Sequence, residues 1–109
     1  MESPALTATP EPPYYAVIFV SIHSGDLVGY AEANQRMEEL VAGQPGYLGM
    51  DSARSGSGVT VSYWTDEASI AAWRDHLEHA AVRERGRGQW YERYSVKVAR
   101  VERAYEWSR

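Results

Sequence analysis

The residues that can move a proton or hold a flat ring are few and clustered. Two of the three histidines stand together in His76-Leu-Glu-His79. Residues three apart share one face of a helix, so the pair has three readings: surface or capping groups, acid–base or hydrogen-bonding groups of a cavity, or two ligands of a metal. The metal reading lacks a third ligand, and the order is not the His-Glu-x-x-His of zinc proteases. An imidazole near its ordinary pKa of ~6.5 can take a proton from a phenol at neutral pH. On an unbroken helix His76 flanks the apolar stripe and His79 points away from it; a break near Asp75 changes this. Trp64 and Trp73 can wall a flat ring or simply fill the core. Trp90-Tyr91, after a glycine loop, can form a cavity mouth or a plug at a dimer edge. Asn34 falls inside the stripe of Tyr30, Met37 and Val41. A buried amide without partners costs ~1–3 kcal/mol, so Asn34 needs either backbone or a ligand oxygen. Ser62 shares the strand face of Trp64 and has no Asp-His partner at a motif-like spacing, so it is no nucleophile. Arg83, Arg85 and Arg87 either draw an anion to a helix end or form solvated surface.

The elements that must position these groups follow from periodicity. Tyr14 to Ile22 is a β-branched and aromatic run, a strand broken by Gly25-Asp26, with Asp26 as N-cap of the next helix. Leu27, Tyr30, Met37, Leu40 and Val41 form that helix's stripe, which Gly43-Gln-Pro45-Gly46 ends. Tyr47 to Ala53 is a second strand, Arg54 to Gly58 a hairpin-type loop, and Val59 to Trp64 a third strand. Thr65-Asp66 caps a second helix with the stripe Ile70, Trp73, Leu77 and Ala80 or Ala81, stopped at Gly86-Arg-Gly88. Gln89-Trp-Tyr91 is a short link with at most one helical turn. Tyr94 to Trp107 is a long last strand whose change of phase predicts a bulge near Ala99–Arg100. The order β-α-β-β-α-β predicts an α+β, ferredoxin-like domain over 14–109: two helices on one face of a four-stranded antiparallel sheet. Residues 1–13, with four prolines, read as a disordered tail. Both faces of the first strand are apolar, Tyr15, Val17 and Phe19 on one and Tyr14, Ala16, Ile18 and Val20 on the other. Two helices cover only one face, so the open one calls for a second copy packed sheet to sheet.

Composition narrows the chemistry. In 109 residues there is no cysteine, which removes disulfides, thiolate metal sites and a cysteine nucleophile. No metal or flavin site is visible: there is no Gly-rich phosphate loop and no carboxylate–histidine cluster. No apolar run reaches the ~20 residues of a membrane span, and no signal peptide is recognisable, which makes the cytoplasm the default location. Up to Val82 the chain carries 11 acidic and 3 basic residues; from Arg83 on, 4 and 8. Such a split fits an anion-facing surface or contacts between subunits. Nucleic acid is an unsuitable partner for a chain of net charge −4 whose basic residues alternate with acids. Four Trp, eight Tyr and one Phe are more rings than so small an interior needs.

Tyr15-Ala-Val-Ile-Phe19, Gln44-Pro-Gly-Tyr-Leu-Gly49, Val61-Ser-Tyr-Trp64, Ala72-Trp73 and Val101-Glu-Arg-Ala-Tyr105 together resemble the antibiotic biosynthesis monooxygenase family over Tyr14 to Tyr105. The resemblance implies a dimeric α+β barrel with a cavity between sheet and helices in each protomer. It also implies cofactor-independent oxygenation of a small aromatic such as a phenol, quinol or polyketide, with O₂ as co-substrate. Within it, His79 is the expected base and Trp64 the ring contact, with Trp73, Trp90, Asn34, His76 and Ser62 lining the site. Heme-degrading relatives want an Asn on the first strand and a His about ten residues after the Trp that Trp73 matches. The first strand has no Asn and Arg83 stands at the second position. A guanidinium stays protonated and cannot ligate iron, so heme breakdown is disfavoured. The oxygenases' third-strand Asn falls on Thr60, which leaves that dyad incomplete. The alternative from another class is a non-catalytic dimeric module that holds a small ligand.

Overall fold

The computed structural model describes residues 6–109. Its elements are β1 (Tyr14–His23), α1 (Tyr30–Val41), β2 (Tyr47–Ser55), β3 (Ser57–Trp64), α2 (Glu67–Arg74), α3 (Leu77–Arg85), a single π-helical turn (Gly86–Trp90) and β4 (Tyr91–Val101). The four strands form one antiparallel sheet in the order β2-β3-β1-β4, the ferredoxin-like arrangement expected from the element order. β1 is central because its run of β-branched and aromatic residues suits a strand covered on both sides.

Register sorts the side chains into two faces. Val17 stands opposite Ser62 and Val98, Phe19 opposite Thr60 and Val96, and Ser21 opposite Gly58 and Tyr94. These residues face the helices. Ala16, Ile18 and Val20, opposite Tyr63, Val61 and Val59, form the other face. There Tyr14 and Ala16 are buried, whereas Ile18, Val20 and Val61 stay half-buried. Part of this cover comes from the chain's own start. The Thr7 hydroxyl lies 2.7 Å from both Asp51 Oδ1 and Met50 O and donates to one of them, Thr7 N donates to Asp51 Oδ1 at 3.1 Å, and Tyr63 Oη donates to Asp51 Oδ2 at 2.9 Å. The Thr7 hydrogen bonds hold the Asp51 carboxyl below its ordinary pKa; burial, then Asp51, pushes the Tyr63 phenol up to about 12. Of the stretch expected to be a loose tail, residues 1–5 lie outside the described residues, and Thr7 ties the following stretch to β2.

Several boundaries differ from the sequence expectation. α1 starts at Tyr30, behind Gly29 in the left-handed region; Asp26 caps only the preceding turn, its Oδ1 accepting from Val28 N. Asp66 does cap α2, accepting from Ser69 N at 2.7 Å, a bond worth about 1 kcal/mol. The loop expected over Arg54 to Gly58 is mostly strand, turning tightly at Gly56. The second helix is not continuous but breaks at Asp75–His76. The bulge expected near Ala99–Arg100 is absent; the register of β1 against β4 shifts at Ile22/His23 instead. β4 ends at Val101, because β1 begins at Tyr14 and offers no partner beyond it. Tyr105 and Trp107 are therefore 95% and 76% exposed. No helix among the described residues is long and apolar enough to cross a membrane.

Two left-handed glycines give a test of this packing. A Cβ on Gly46 (φ +83°) would meet Ser69 Cβ at 2.6 Å and Thr65 Oγ1 at 2.8 Å, whereas one on Gly56 (φ +79°) meets open space. Gly56→Ala should cost only the conformational penalty of about 1–2 kcal/mol. Gly46→Ala should cost about 1–3 kcal/mol more from overpacking. Urea unfolding of the two variants checks the difference, and equal midpoints would contradict the packing at Gly46.

Candidate functional site

Between the sheet and the helices lies a cavity of about 1070 Å³. Its floor is the inward face of the strands, from Val17, Phe19 and His23 to Met50, Thr60 and Ser62; its roof is Tyr30, Met37, Ile70, Trp73, His79 and Arg83. Trp64 and Trp90 are each 1% exposed and anchor the wall. Trp64 Nε1 donates to Ser62 Oγ at 2.9 Å, and Trp90 Nε1 donates to Val28 O at 2.9 Å.

His79 owes its position to the break between α2 and α3. The C-terminal carbonyls of a helix lack intrahelical partners. Here those of α2 are taken by α3: Trp73 O lies 3.0 Å from His79 Nδ1, and Arg74 O accepts from Arg83 Nη1 at 3.0 Å. His79 and Arg83 are four apart, so they share a helical face. The imidazole stacks on the Trp73 ring, centroids 4.5 Å apart and planes 9° from parallel. A carbonyl only accepts, so Nδ1 carries the proton and Nε2 holds the free lone pair. Burial lowers the His79 pKa; the Trp73 carbonyl works against this, and the charges of Arg83 and His76 work with it. The ring is then neutral at pH 7.

The other expected residues fall into place differently. His76 is the N-cap of α3, its Nδ1 accepting from Glu78 N at 3.2 Å, and it does not line the cavity. Asn34 lines the cavity but is exposed at its rim rather than buried, and donates to Glu38 Oε1 at 3.3 Å. Ser62 spends its oxygen on the Trp64 indole. Trp90 closes one end: residues 24–29 and the π-helical turn are laced together by Ser24 N to Trp90 O at 2.7 Å, Arg85 Nη2 to Val28 O at 3.2 Å and Gln89 Nε2 to Asp26 Oδ1 at 3.2 Å.

Sequence reading missed the far end of the cavity. His23 packs against Tyr30 (4.6 Å) and Tyr91 (5.6 Å), and Phe19 against Tyr91 (5.5 Å) and Tyr94 (5.4 Å). Burial, then the Arg54 charge, lowers the His23 pKa, and burial raises that of Tyr91. The signal was available: His23 continues the alternation Val17, Phe19, Ser21, and Arg54 continues Met50, Ser52. Among the described residues no group of three or more His, Cys, Asp or Glu is placed to hold a metal ion.

Comparison with known proteins gives a consistent match. The antibiotic biosynthesis monooxygenase family profile matches residues 13–85. An uncharacterized Bacillus subtilis protein, YqjZ, is 54% identical over 100 residues, covering 90% of this chain and 88% of that protein. Among solved structures, a variant of SnoaB, a cofactor-independent oxygenase from Streptomyces nogalater, superposes with TM-score 0.72 at 13% identity, over 85% of this chain and 97% of that one. Protein SO0527 from Shewanella oneidensis superposes with TM-score 0.71 at 10% identity, over 82% and 91% of the two chains. At such identities the structural likeness speaks for the fold alone.

The two lowered histidine pKa values carry a sign that can be measured. A folded-state pKa below the unfolded ~6.5 means the unfolded chain binds more protons between those values. The stabilisation is complete above pH ~6.5 and is lost as pH falls through the folded pKa. The urea midpoint should therefore drop between pH 7.5 and 5, and His79→Gln should flatten that slope in part, His23 supplying the remainder. An unchanged slope in His79→Gln would contradict the buried neutral imidazole.

Proposed function

The chain belongs to the antibiotic biosynthesis monooxygenase family, and from that premise we propose that it is a cofactor-independent monooxygenase of a small, hydrophobic, electron-rich aromatic such as a hydroquinone or anthrone. The observation that carries this reading is the neutral His79 ring, held by Trp73 O with Nε2 unprotonated, on the wall of an aromatic-lined cavity.

In this reaction the substrate is its own reductant. His79 Nε2 takes the proton of the phenol or enol, and the resulting anion passes electrons to O₂. One oxygen atom bonds to the ring carbon, the substrate gives up two hydrogens net and becomes a quinone, and the other oxygen atom leaves with those two hydrogens as water. A phenol of pKa ~10 stands well above an ordinary imidazole at ~6.5, and burial lowers His79 further, so the transfer is uphill. Arg83 supplies the opposing term. It lines the cavity, and among the described residues no carboxylate stands within 4 Å of its guanidinium. A charge-assisted hydrogen bond to the developing oxyanion is worth about 1.5–3 kcal/mol, and a more acidic enol covers the rest. Trp64 and Trp73 contact the ring and exclude water.

A second copy completes the particle in this proposal, covering Ile18, Val20 and Val61 on the open sheet face. Light scattering should then give about twice the 12.3 kDa of one chain; a monodisperse monomer at micromolar concentration would remove the dimer from the proposal.

Oxygen uptake with a hydroquinone and anthrone panel, run aerobically and anaerobically, tests the chemistry. His79→Ala should lower the rate by about 10²-fold or more, the usual worth of a general base, and the double variant with Trp64→Ala should lie at background. Uptake that survives the double variant rejects these residues. Ligand binding without any oxygen uptake favours the non-catalytic module.

A further inference from the structure

The end of the cavity at the β2–β3 turn carries a charged group with no carboxylate partner among the described residues. Arg54, Gly58, Ser21 and Tyr94 lie abreast across the four strands on the cavity face, since Arg54 pairs with Gly58, Gly58 with Ser21, and Ser21 with Tyr94. The Arg54 guanidinium lies flat over Gly58, against which a Cβ would clash. It reaches Ser21, donating from Nη2 to the hydroxyl and from Nη1 to the carbonyl at 3.5 Å. Ser21 is 1% exposed, so one end of the fork is fixed in the floor. Two of the five guanidinium N–H groups are used there, which leaves three for a ligand. Among the described residues no carboxylate stands within 4 Å of Arg54. Among the described residues Glu38 is the one acid lining the cavity, and it lies at the other end, where burial, then its charge, raises the Tyr47 pKa beside Trp64. Around Arg54 the walls are rings: His23, which feels its charge, with Tyr91, Phe19 and Tyr94.

We propose that Arg54 forms an anion subsite of the cavity, taking the carboxylate of an aromatic acid whose ring lies against Phe19, Tyr91 and Tyr94. A planar two-oxygen anion matches the fork of a guanidinium, and Gly58 is the residue that lets the fork lie low enough to leave room for it. The proposal rests on the reading that this cavity holds an aromatic ring, and it adds that the ring bears an acid group at the end by the β2–β3 turn.

The test compares 6-hydroxy-2-naphthoate with 2-naphthol by calorimetric titration of the full chain. Wild type should bind the carboxylate about two- to fivefold more tightly, the modest ratio of a solvent-screened charged pair. Arg54→Gln should abolish the preference and leave 2-naphthol within about twofold. Gly58→Ala, which keeps the charge but lifts the guanidinium off the floor, should also abolish it, and Arg54→Lys, the folding control, should keep part. Equal binding of both ligands by wild type overturns the subsite while leaving the aromatic cavity standing. A preference that survives Arg54→Gln, or that disappears in Arg83→Gln instead, assigns the anion to another group and overturns it too. Failure of both ligands to bind overturns the subsite together with the aromatic-cavity reading.

Discussion

The Trp73 carbonyl decides more of this site than any side chain does. At the end of α2 it accepts a hydrogen bond from His76 N at 3.1 Å and another from His79 Nδ1 at 3.0 Å. The first bond ends one helix and the second starts the use of the next. Together with the bond from Arg83 to Arg74 O, they turn the inward face of α3 toward the sheet. From that turn follow the tautomer of His79, its stacking on Trp73 and its presence in the cavity. A continuous helix would satisfy the same carbonyls internally and point His79 at solvent. The break thus exchanges main-chain hydrogen bonds for side-chain ones of similar worth, each about 1 kcal/mol, and gains a positioned imidazole.

Volume supplies the second constraint. A dry void costs roughly 24 cal/mol per Å³, so about 1070 Å³ left empty would cost on the order of 25 kcal/mol, more than the ~5–15 kcal/mol that stabilises a domain. The space between sheet and helices is therefore sustainable only because it opens to water or receives a ligand. The fold holds it open with large side chains fixed by hydrogen bonds at its ends, Trp64 on Ser62 and Trp90 on Val28 O, rather than with a filled centre. His23 and Phe19, between these anchors, touch rings on one side and open space on the other. The excess of aromatic residues over what a small core needs is explained by a wall that must be rigid without being packed on both sides.

The four strands, their ferredoxin-like arrangement and the shared face of Ser62 and Trp64 were legible in the sequence because period-2 patterns are strong there. Three features were not, each for a physical reason. The break at Asp75–His76 leaves Ile70, Trp73, Leu77 and Ala80 at helical spacing, so the pattern cannot see it; only the capping ability of His76 and the i,i+4 pair His79–Arg83 hint at it. α1 begins late because Gly29 takes the left-handed conformation that starts the helix, and Asp26, a good cap by type, serves a turn instead. The stretch after Val101 has a strand's alternation, but alternation says nothing about whether a neighbouring strand exists to receive its hydrogen bonds. Trp64, Trp73 and Ser62 were recoverable from face and spacing. His23 and Arg54 sat in segments read as strand end and loop, where alternation was not followed far enough.

The split of charge along the chain takes a different meaning once the side chains are located. Arg83, Arg85 and Arg87 look like one basic patch in the sequence, yet they do three separate things. Arg83 turns inward to the cavity; Arg85 binds Val28 O and lies 4.9 Å from the Trp90 ring centroid; Arg87 pairs with Glu84 at 3.1 Å and donates to Tyr94 Oη at 2.6 Å. Only the first offers charge to a ligand, and its counterpart across the cavity, Arg54, comes from the acidic part of the sequence. Charge counted along the chain therefore misjudges the cavity: of the four arginines that line it, Arg74 and Arg87 are paired with Asp75 and Glu84, and Arg54 and Arg83, from opposite parts of the sequence, have no carboxylate within 4 Å among the described residues. Each spends part of its hydrogen bonding on the fold, Arg83 on Arg74 O and Arg54 on Ser21, and keeps further N–H groups for a ligand.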